Sequence, residues 1–387
     1  MKVVVLGGAG DMGSRAVEDL AISDGVERVT ICDRDVTSAG RLAERLSGAP
    51  ASVDVVGVDA DDHDALVKAL TGYDVVASAL GPFHRFEAQL ARAAIDAGVD
   101  YTSVCDEWQA AEQVIDELDD LAKERGRIIV TGFGASPGLS NVGVRYLANK
   151  LDRVRRVDIS VYQPLDAGGG EAVLRHMFYI MTGQVAVWRN GERVMVPACS
   201  EKRRVEFPQF GEIELWNMGH SEPVTLPRFL PELEEVNFFM GYGRGAHAFV
   251  MPAKLGAFAG RRRVDMAVKL VTALDRFTRK DVPGTGAVRL DVWGDKDGRQ
   301  AHHLLCGVGG MREVTGLSLS VGAQMLARRE LVSDSPGVFA PEAVVLPSVF
   351  IERMKTKGLD AYEDIAMTRS LLDDDVAAGP SAQREAR

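Results

Sequence analysis

Three glycines near the start of the chain lie at the spacing Gly-x-Gly-x-x-Gly, directly behind an apolar run. The run, residues 3–6, predicts a short buried parallel strand because its side chains are aliphatic without alternation. Together Gly8, Gly10 and Gly13 permit a tight turn, a close approach of the backbone to a pyrophosphate, and close packing of strand and helix. A helix predicted over residues 14–20 would direct its N-terminal amides at the phosphates. This order of elements predicts a dinucleotide-binding turn.

An acidic residue ends the second predicted strand. Residues 28–32 predict that strand, and Asp33 follows it, 20 residues beyond Gly13. A carboxylate at this place can accept hydrogen bonds from an adenosine ribose, and it repels a 2′-phosphate. Asp33 therefore favours NAD as the cofactor, although the guanidinium of Arg34 could accommodate NADP.

Small and acidic residues follow the later predicted strands. Because ligands of an open parallel sheet bind outside the carboxyl ends of its strands, Asp59, Ala60 and residues 79–82 are further candidates for cofactor contacts. Asp106 and Glu107 end the fifth strand, where they could hold a substrate ammonium or relay a proton. The alternative is that they cap the helix that follows. The predicted cofactor-binding residues are Gly8, Gly10, Asp11, Met12, Gly13, Asp33, Arg34, Asp59, Ala60, Ala79, Leu80, Gly81 and Pro82.

Side chains in the second half of the chain complete the candidate catalytic set. Arg228 could bind a substrate carboxylate through its bidentate guanidinium, with Arg244 as a second choice. Either arginine could instead form a surface ion pair. His220 could act as an acid–base group, or it could be structural. His302 and His303 point to opposite faces of a predicted strand and cannot share one ion, and no metal site is predicted.

Predicted strands and helices alternate through the first 135 residues, a pattern typical of a doubly wound sheet. Further strands are predicted over residues 52–59, 73–80, 100–104 and 127–131, and helices over residues 38–46, 61–70, 87–97 and 108–125. Beyond Pro137 strands dominate, at residues 154–162, 203–207, 212–218 and a hairpin of 288–293 with 301–308, before an apolar helix at 317–327. The prediction is an α/β Rossmann-type doubly wound parallel sheet with a further α+β domain built on an antiparallel sheet.

Composition excludes several classes of function. The 387 residues carry a net charge of −11, which argues against nucleic acid as a partner. No stretch approaches about 18 consecutive apolar residues, so no membrane span is predicted. The N-terminus is already a core strand, which predicts no signal peptide. The four cysteines are far apart and form no Cys-x-x-Cys pair, as is typical of a reduced, cytoplasmic protein rather than a zinc site.

Five motifs in order give the chain a family resemblance. They are Gly81-Pro82-Phe83, AGVDYTSVCDE at residues 97–107, GFGASPGLSN at 132–141, GHSEPVTLPR at 219–228 and GVFAPE at 337–342. In this combination the chain resembles the saccharopine dehydrogenase family, over about residues 1–365. That family includes saccharopine reductases, carboxynorspermidine dehydrogenases and lysine 6-dehydrogenases.

The resemblance implies an architecture and an activity. It implies a dinucleotide-binding domain over residues 1–137, a substrate and dimerisation domain over 138–316, and a segment over 317–372 that returns to the first domain. Residues 373–387 are a polar tail, for which we predict disorder. The implied enzyme is a homodimer that uses NAD(P) to transfer hydride at a C–N bond of a small amino-acid, opine or polyamine-like substrate.

Two other interpretations stay open. Tyr146 and Lys150 have the Tyr-x-x-x-Lys spacing of carbonyl reductases, in which a lysine on the same helix face activates the tyrosine. A non-catalytic sensor would keep the dinucleotide domain and report the state of the cofactor to a partner.

Overall fold

The chain forms two compact units in the computed structural model, which describes residues 1–164, 170–243, 247–258, 260–278 and 284–371. The first unit comprises Met1–Val142 and Arg312–Lys357, and the second comprises Gly143–Met311 with the chain from Gly358 onward. This division differs from the predicted return of residues 317–372 to the first domain. Tyr362 exchanges two backbone hydrogen bonds of 2.8 Å with Cys306, which ties the last described segment to the second unit. The predicted tail, residues 373–387, lies outside the described residues.

The strands and helices have the following bounds. The strands are β1 (Lys2–Leu6), β2 (Arg28–Asp33), β3 (Ser52–Gly57), β4 (Val75–Ser78), β5 (Asp100–Ser103), β6 (Ile128–Val130), β7 (Arg153–Tyr162), β8 (Gln184–Arg189), β9 (Glu192–Pro197), β10 (Lys202–Phe207), β11 (Gly211–Asn217), β12 (Glu235–Gly241), β13 (Gly286–Lys296), β14 (Arg299–Gly309) and β15 (Gly337–Phe339). The helices are α1 (Asp11–Ile22), α2 (Val36–Arg45), α3 (His63–Leu70), α4 (Phe83–Asp96), α5 (Trp108–Arg125), α6 (Leu139–Ala148), α7 (Gly170–Ile180), α8 (Glu222–Phe229), α9 (His247–Lys254), α10 (Arg261–Thr278), α11 (Met311–Ala327), α12 (Pro341–Val344) and α13 (Pro347–Thr356).

The first unit contains a parallel sheet in the order β15-β6-β5-β4-β1-β2-β3. Every pairing along it is parallel, and the side chains of residues 3–6 in β1 are fully buried. Strands buried on both faces read as continuous aliphatic runs, which is why the sequence identified them. The predicted Rossmann-type sheet is confirmed. β15 extends it at the β6 edge, although three residues give too short a pattern for the sequence to have predicted that strand.

Capping side chains set the starts of the helices that follow the strands. Asp35 accepts a hydrogen bond from the Ser38 amide before α2, and Asp62 accepts one from the Ala65 amide before α3. α4 begins at Phe83, four residues before its predicted start, with Pro82 as its N-cap in extended geometry. The start of α4 therefore lies directly behind the end of β4.

The second unit is built on a mixed sheet in the order β10-β11-β12-β7-β13-β14, with β8 pairing β12 and β9. β7 pairs β12 in parallel and β13 in antiparallel orientation, so the expectation of a purely antiparallel sheet is wrong at that pairing. The predicted hairpin of β13 and β14 is confirmed and longer than predicted. It turns at Asp297 and Gly298, both with positive φ (49° and 73°), which allows a two-residue connection.

One helix contact within the first unit joins its two chain segments. An added Cβ at Gly316 on α11 would lie 2.9 Å from the Met12 carbonyl oxygen of α1, so only a glycine lets the two helices approach this closely. Asp19 on α1 is 4% exposed; it accepts a hydrogen bond from the Ser320 hydroxyl (2.6 Å) and pairs with the Lys357 ammonium (2.7 Å). The Lys357 ammonium and the Ser320 hydroxyl thereby offset the cost of burying the negative charge of Asp19.

Candidate functional site

The glycine turn behind β1 is built without room for side chains. Gly7 has a φ of +69°, and its amide donates to the Cys32 carbonyl at the end of β2 (2.9 Å). A Cβ on Gly7 would lie 3.1 Å from the Ala79 carbonyl, and one on Gly13 would collide with the Gly7 carbonyl oxygen. Gly7 therefore also shapes the turn, although it lies outside the predicted three-glycine spacing, which begins one residue later at Gly8.

The start of α1 presents its backbone amides to this turn. Gly10 is the N-cap in extended geometry, and its carbonyl accepts the Ser14 amide (2.8 Å). The amides of Asp11, Met12 and Gly13 belong to the first helical turn and point away from the helix body, as donors suited to a phosphate. These amides belong to residues for which a phosphate contact is predicted.

The carboxylate of Asp33 ties the turn to the end of β2. Its Oδ2 accepts the Ala9 amide (3.1 Å) and its Oδ1 accepts the Asp35 amide (3.0 Å). The side chain is only part-buried, and the next residue, Arg34, is exposed. Asp33 is therefore held by two backbone amides while it keeps lone pairs for a ribose hydroxyl.

Two of the remaining predicted cofactor contacts follow β3. Asp59 is exposed, and its side chain accepts the Asp61 amide (3.1 Å). Ala60 is 8% exposed, and its carbonyl accepts from the Gln89 side chain of α4. Both stand just beyond the carboxyl end of β3, as predicted.

The segment after β4 passes next to the glycine turn. The Ala79 amide donates to the Leu6 carbonyl (2.9 Å), which continues the pairing of β4 with β1. Leu80 is half-buried, whereas Gly81 and Pro82 are exposed before α4 begins. The sheet edge therefore offers backbone and small side chains, which suits a ligand that lies flat against it.

The two acidic residues after β5 have different surroundings. Glu107 occupies the N-cap position of α5, yet its side chain makes no cap hydrogen bond to that helix. Only 2% of it is exposed, and its Oε2 accepts from the His84 amide (2.6 Å) and lies 2.7 Å from His84 Nδ1. Asp106 precedes it and is half-buried. The alternative that the Glu107 side chain caps α5 is thus wrong. Its carboxylate instead accepts the backbone amide of His84 in the first turn of α4.

A third acid, Glu87, is fully buried in α4, about one helical turn after His84. It accepts hydrogen bonds from the hydroxyls of Tyr101 (3.0 Å), Thr131 (3.1 Å) and Ser103. Burial raises the pKa of Glu87 from 4.5 to about 7, even though the three hydroxyls favour its ionised form. The sequence reasoning missed this residue, since a glutamate inside a helix carries no signal that later strands supply its partners.

The remaining catalytic candidates belong to the second unit. His220 is 4% exposed, stacks on Phe238 with ring centroids 3.9 Å apart, and forms a short hydrogen bond from Nδ1 to Glu222, which is fully buried. Arg228 lies exposed in the last turn of α8. Arg244 lies outside the described residues.

The Tyr-x-x-x-Lys pair is not a reductase-like arrangement on one helix. α6 ends at Ala148, before Lys150, and the Lys150 ammonium lies over the ring of Tyr146, 4.6 Å from its centroid. Lys150 is paired with Glu363, and Tyr146 is 8% exposed. The lysine is held by an acid within the second unit, which removes the observation that favoured a carbonyl reductase.

A charged groove of about 250 Å³ lies on one face of the mixed sheet. Asp158, which is among its lining residues and is 3% exposed, accepts hydrogen bonds from Arg156 (2.7 Å), Arg203 (2.7 Å) and Asn237 (2.9 Å). Burial alone would raise the pKa of Asp158, but the hydrogen bonds from Arg156 and the charge of Arg203 bring it below its ordinary value. These contacts link side chains of β7, β10 and β12, so the Asp158 carboxylate has a structural role within the sheet.

The described helices include none that is both long and apolar enough to cross a lipid bilayer.

Comparison with known proteins gives a family match within the first unit. Residues 3–130 match the family model described as the saccharopine dehydrogenase NADP binding domain. Carboxynorspermidine synthase of Vibrio alginolyticus is 28% identical over 259 residues, covering 61% of this chain and 62% of that protein, so less than two thirds of its length is matched. Carboxyaminopropylagmatine dehydrogenase of Synechocystis is 22% identical over 407 residues, covering 94% of this chain and 98% of that protein.

A solved structure agrees at the level of the fold. Saccharopine dehydrogenase (L-Glu forming) from Saccharomyces cerevisiae superposes with a TM-score of 0.67 at 14% identity, covering 92% of this chain and 98% of that one. The fold thus extends over both units. Residues 3–130 are thus similar to the NADP binding domain of the saccharopine dehydrogenase family, and the resemblance predicted from the motifs is confirmed over that part of the chain.

Proposed function

We propose that the protein is an NAD(P)-dependent dehydrogenase that transfers hydride at a C–N bond of a small amino-acid, opine or polyamine-like substrate. The observation that carries this proposal is the glycine turn. A Cβ on Gly13 would collide with the Gly7 carbonyl and one on Gly7 would crowd the Ala79 backbone, so the glycines keep the turn tight, and the first amides of α1 follow directly after it. A turn of this construction fits the pyrophosphate of a dinucleotide, and it lies within the matched family domain.

The cofactor supplies the redox chemistry when it is bound, because a nicotinamide accepts or releases a hydride. The chain supplies binding and proton handling. In this proposal Asp11, Met12 and Gly13 hold the pyrophosphate through their amides, and Asp33 holds the adenosine ribose. The backbone at residues 79–82 supports the rest of the cofactor.

The names of the relatives support the substrate class. Carboxynorspermidine synthase and carboxyaminopropylagmatine dehydrogenase both name compounds with amino and carboxyl groups. A substrate carboxylate needs a cation, for which Arg228 is the proposed partner. Asp106 is proposed to hold a substrate ammonium, and His220, positioned by Glu222, is proposed to line the substrate pocket.

For the choice of cofactor we propose NAD in preference, with NADP also accepted. Asp33 is fixed by two amides, so its negative charge stays where a 2′-phosphate would have to approach. Arg34 is exposed beside it and could neutralise that phosphate, in line with a family domain described as NADP-binding. Dissociation constants of NADH and NADPH, measured by fluorescence titration, decide between them: tighter NADPH binding would overturn the preference.

The experiment that tests the activity is a substrate screen. The purified protein is incubated at alkaline pH with NAD or NADP and a panel of amino acids, opines and carboxylated polyamines, while absorbance at 340 nm is followed. Turnover of a compound with both an amine and a carboxylate is expected. Measurable NADH binding without turnover of any member of the panel would contradict the proposal and favour a sensor.

We further propose that the second unit binds the substrate and forms a homodimer. Light scattering after size-exclusion chromatography tests the dimer: a mass near twice the 41.8 kDa of the chain is expected, and a monomer at micromolar concentration would refute it.

A further inference from the structure

The buried Glu107 and the exposed His84 form one hydrogen-bonded pair in the first unit. The Glu107 side chain is 2% exposed, so it cannot itself reach a ligand in solvent, whereas 45% of the His84 side chain is exposed. The two residues meet through Oε2 and Nδ1, 2.7 Å apart. The group that can exchange a proton with a ligand is therefore the histidine, and the glutamate acts behind it.

The same carboxylate oxygen also accepts the backbone amide of His84, at 2.6 Å. This second bond fixes the glutamate against the start of α4 and fixes the histidine backbone against α5. A negative charge at the N-terminus of α4 is also favoured by the helix dipole. The Glu107 Oε2 acts as an acceptor toward the His84 amide, and an ionised carboxylate only accepts hydrogen bonds. With an ionised Glu107, Nδ1 of the neutral His84 ring carries the hydrogen of the shared bond, and Nε2 is the basic nitrogen.

The position of His84 relates it to the cofactor turn. Four residues separate the end of β4 from the start of α4, and β4 is the direct neighbour of β1, which the glycine turn follows. The Ala79 backbone, which follows β4, would lie only 3.1 Å from a Cβ placed on Gly7, so the segment that leads to α4 passes close to the glycine turn. Ligands of a doubly wound sheet bind beyond the carboxyl ends of such neighbouring strands. His84 lies in the first turn of α4, the helix that follows β4 on the side of the sheet where such a ligand would bind.

Glu107 is a carboxylate in direct contact with the His84 ring, whereas two other charged residues near it, Arg85 and Glu87, have partners elsewhere. Arg85, the next residue, turns to Asp61 with two hydrogen bonds of 2.7 and 2.9 Å. Glu87 lies one turn along α4 but is fully buried and bonded to three hydroxyls. Carboxylate and imidazole in this order are the arrangement that orients a histidine for general acid–base catalysis.

We propose that His84 carries the proton of the C–N oxidation and that Glu107 is its positioning residue; this rests on the proposed function. Oxidation of an amine to an imine removes a hydride from carbon, which the nicotinamide takes up, and a proton from nitrogen, which His84 Nε2 accepts. The imidazolium then returns its proton to solvent. In the direction of reduction His84 donates that proton to the imine nitrogen.

The kinetic test uses His84→Gln and, as a matched control, His63→Gln. His63 is likewise about half exposed (46%) and contacts a carboxylate, Asp96, at 3.2 Å, but it starts α3 rather than α4. We expect His84→Gln to lower kcat by about 100-fold or more with unchanged NADH affinity. Imidazole added to a His84→Ala variant should restore part of the rate. His63→Gln should stay within about twofold of the wild type. A His84→Gln enzyme with near-normal kcat would overturn the proposal and leave the proposed function intact.

A spectroscopic test needs no turnover. The chain has seven histidines, so selective ¹⁵N-histidine labelling with His84→Gln as the assignment variant identifies the His84 ring signals. Above neutral pH the wild-type ring should be the Nδ1–H tautomer, and Glu107→Gln should shift it toward the Nε2–H tautomer and lower kcat. An unchanged tautomer in Glu107→Gln would remove the positioning role. A normal tautomer in a protein that oxidises no amine would instead refute the proposed function.

Discussion

Replacing Glu87 with glutamine should abolish one component of the pH dependence of stability. The carboxyl is fully buried among Tyr101, Ser103 and Thr131, and burial raises its pKa from 4.5 to about 7. Because the folded-state pKa lies above that of the unfolded chain, Glu87 stabilises the fold fully below about pH 4.5. Its contribution is lost as the pH rises through about 7. Glutamine is neutral at every pH, and the hydroxyls can reorient to donate to its oxygen and accept from its nitrogen.

The magnitude follows from the shift in pKa. One pKa unit corresponds to about 1.4 kcal/mol, so ionising Glu87 costs about 3 kcal/mol more in the folded than in the unfolded protein. Much of that difference develops between pH 5 and pH 8. Relative to Glu87→Gln, the wild type should therefore lose roughly 2 to 3 kcal/mol of unfolding free energy over this range.

Urea unfolding followed by circular dichroism at pH 5, 6, 7 and 8 measures the difference between the two proteins. Taking that difference cancels the titration of all other groups that the substitution leaves alone. Glu44→Gln, an exposed position on α2, is the matched control and should change by less than about 0.5 kcal/mol at every pH. A difference between wild type and Glu87→Gln that stays constant from pH 5 to pH 8 would refute the reasoning.

Three further outcomes are expected. Gly13→Ala, whose Cβ would meet the Gly7 carbonyl, should weaken NADH binding at least tenfold in fluorescence titration, and normal affinity would show that the turn does not hold the cofactor. Asp33→Ser should raise the affinity for NADPH relative to NADH, and an unchanged ratio would place cofactor selection elsewhere. Asp158→Ala should lower stability by about 3 kcal/mol, because it leaves Arg203 in the sheet without its acid, and a Tm within a degree of wild type would contradict this.

Local patterns allowed most of the first unit to be predicted. The aliphatic run of β1, the glycines behind it and Asp33 at the end of β2 are close in sequence, and their geometry follows from strand burial and turn sterics. The hairpin of β13 and β14 was found for the same reason, because an Asp-Gly pair separates two periodic segments. Such features depend on a few neighbouring residues and therefore leave a local signal.

Contacts between distant residues could not be predicted. Nothing near His84 in the sequence shows that Glu107 reaches back to it, since the glutamate also stands where a helix cap is expected. Glu87 acquires its hydroxyl partners only when β5 and β6 line up beside α4. The parallel pairing of β7 with β12 is likewise non-local. Register and side-chain direction decide these contacts, and neither is fixed by residue type alone.

The first unit is assembled from Met1–Val142 and Arg312–Lys357, and this affects how it folds during synthesis on the ribosome. A nascent chain that has exposed only the first segment has β6 as an open sheet edge, because β15 is still unmade. It also holds the Asp19 carboxylate without the Lys357 ammonium. The first unit therefore reaches its final structure only after the whole intervening insertion has been synthesised. Until then its unpaired edge is a surface that chaperones would have to shield.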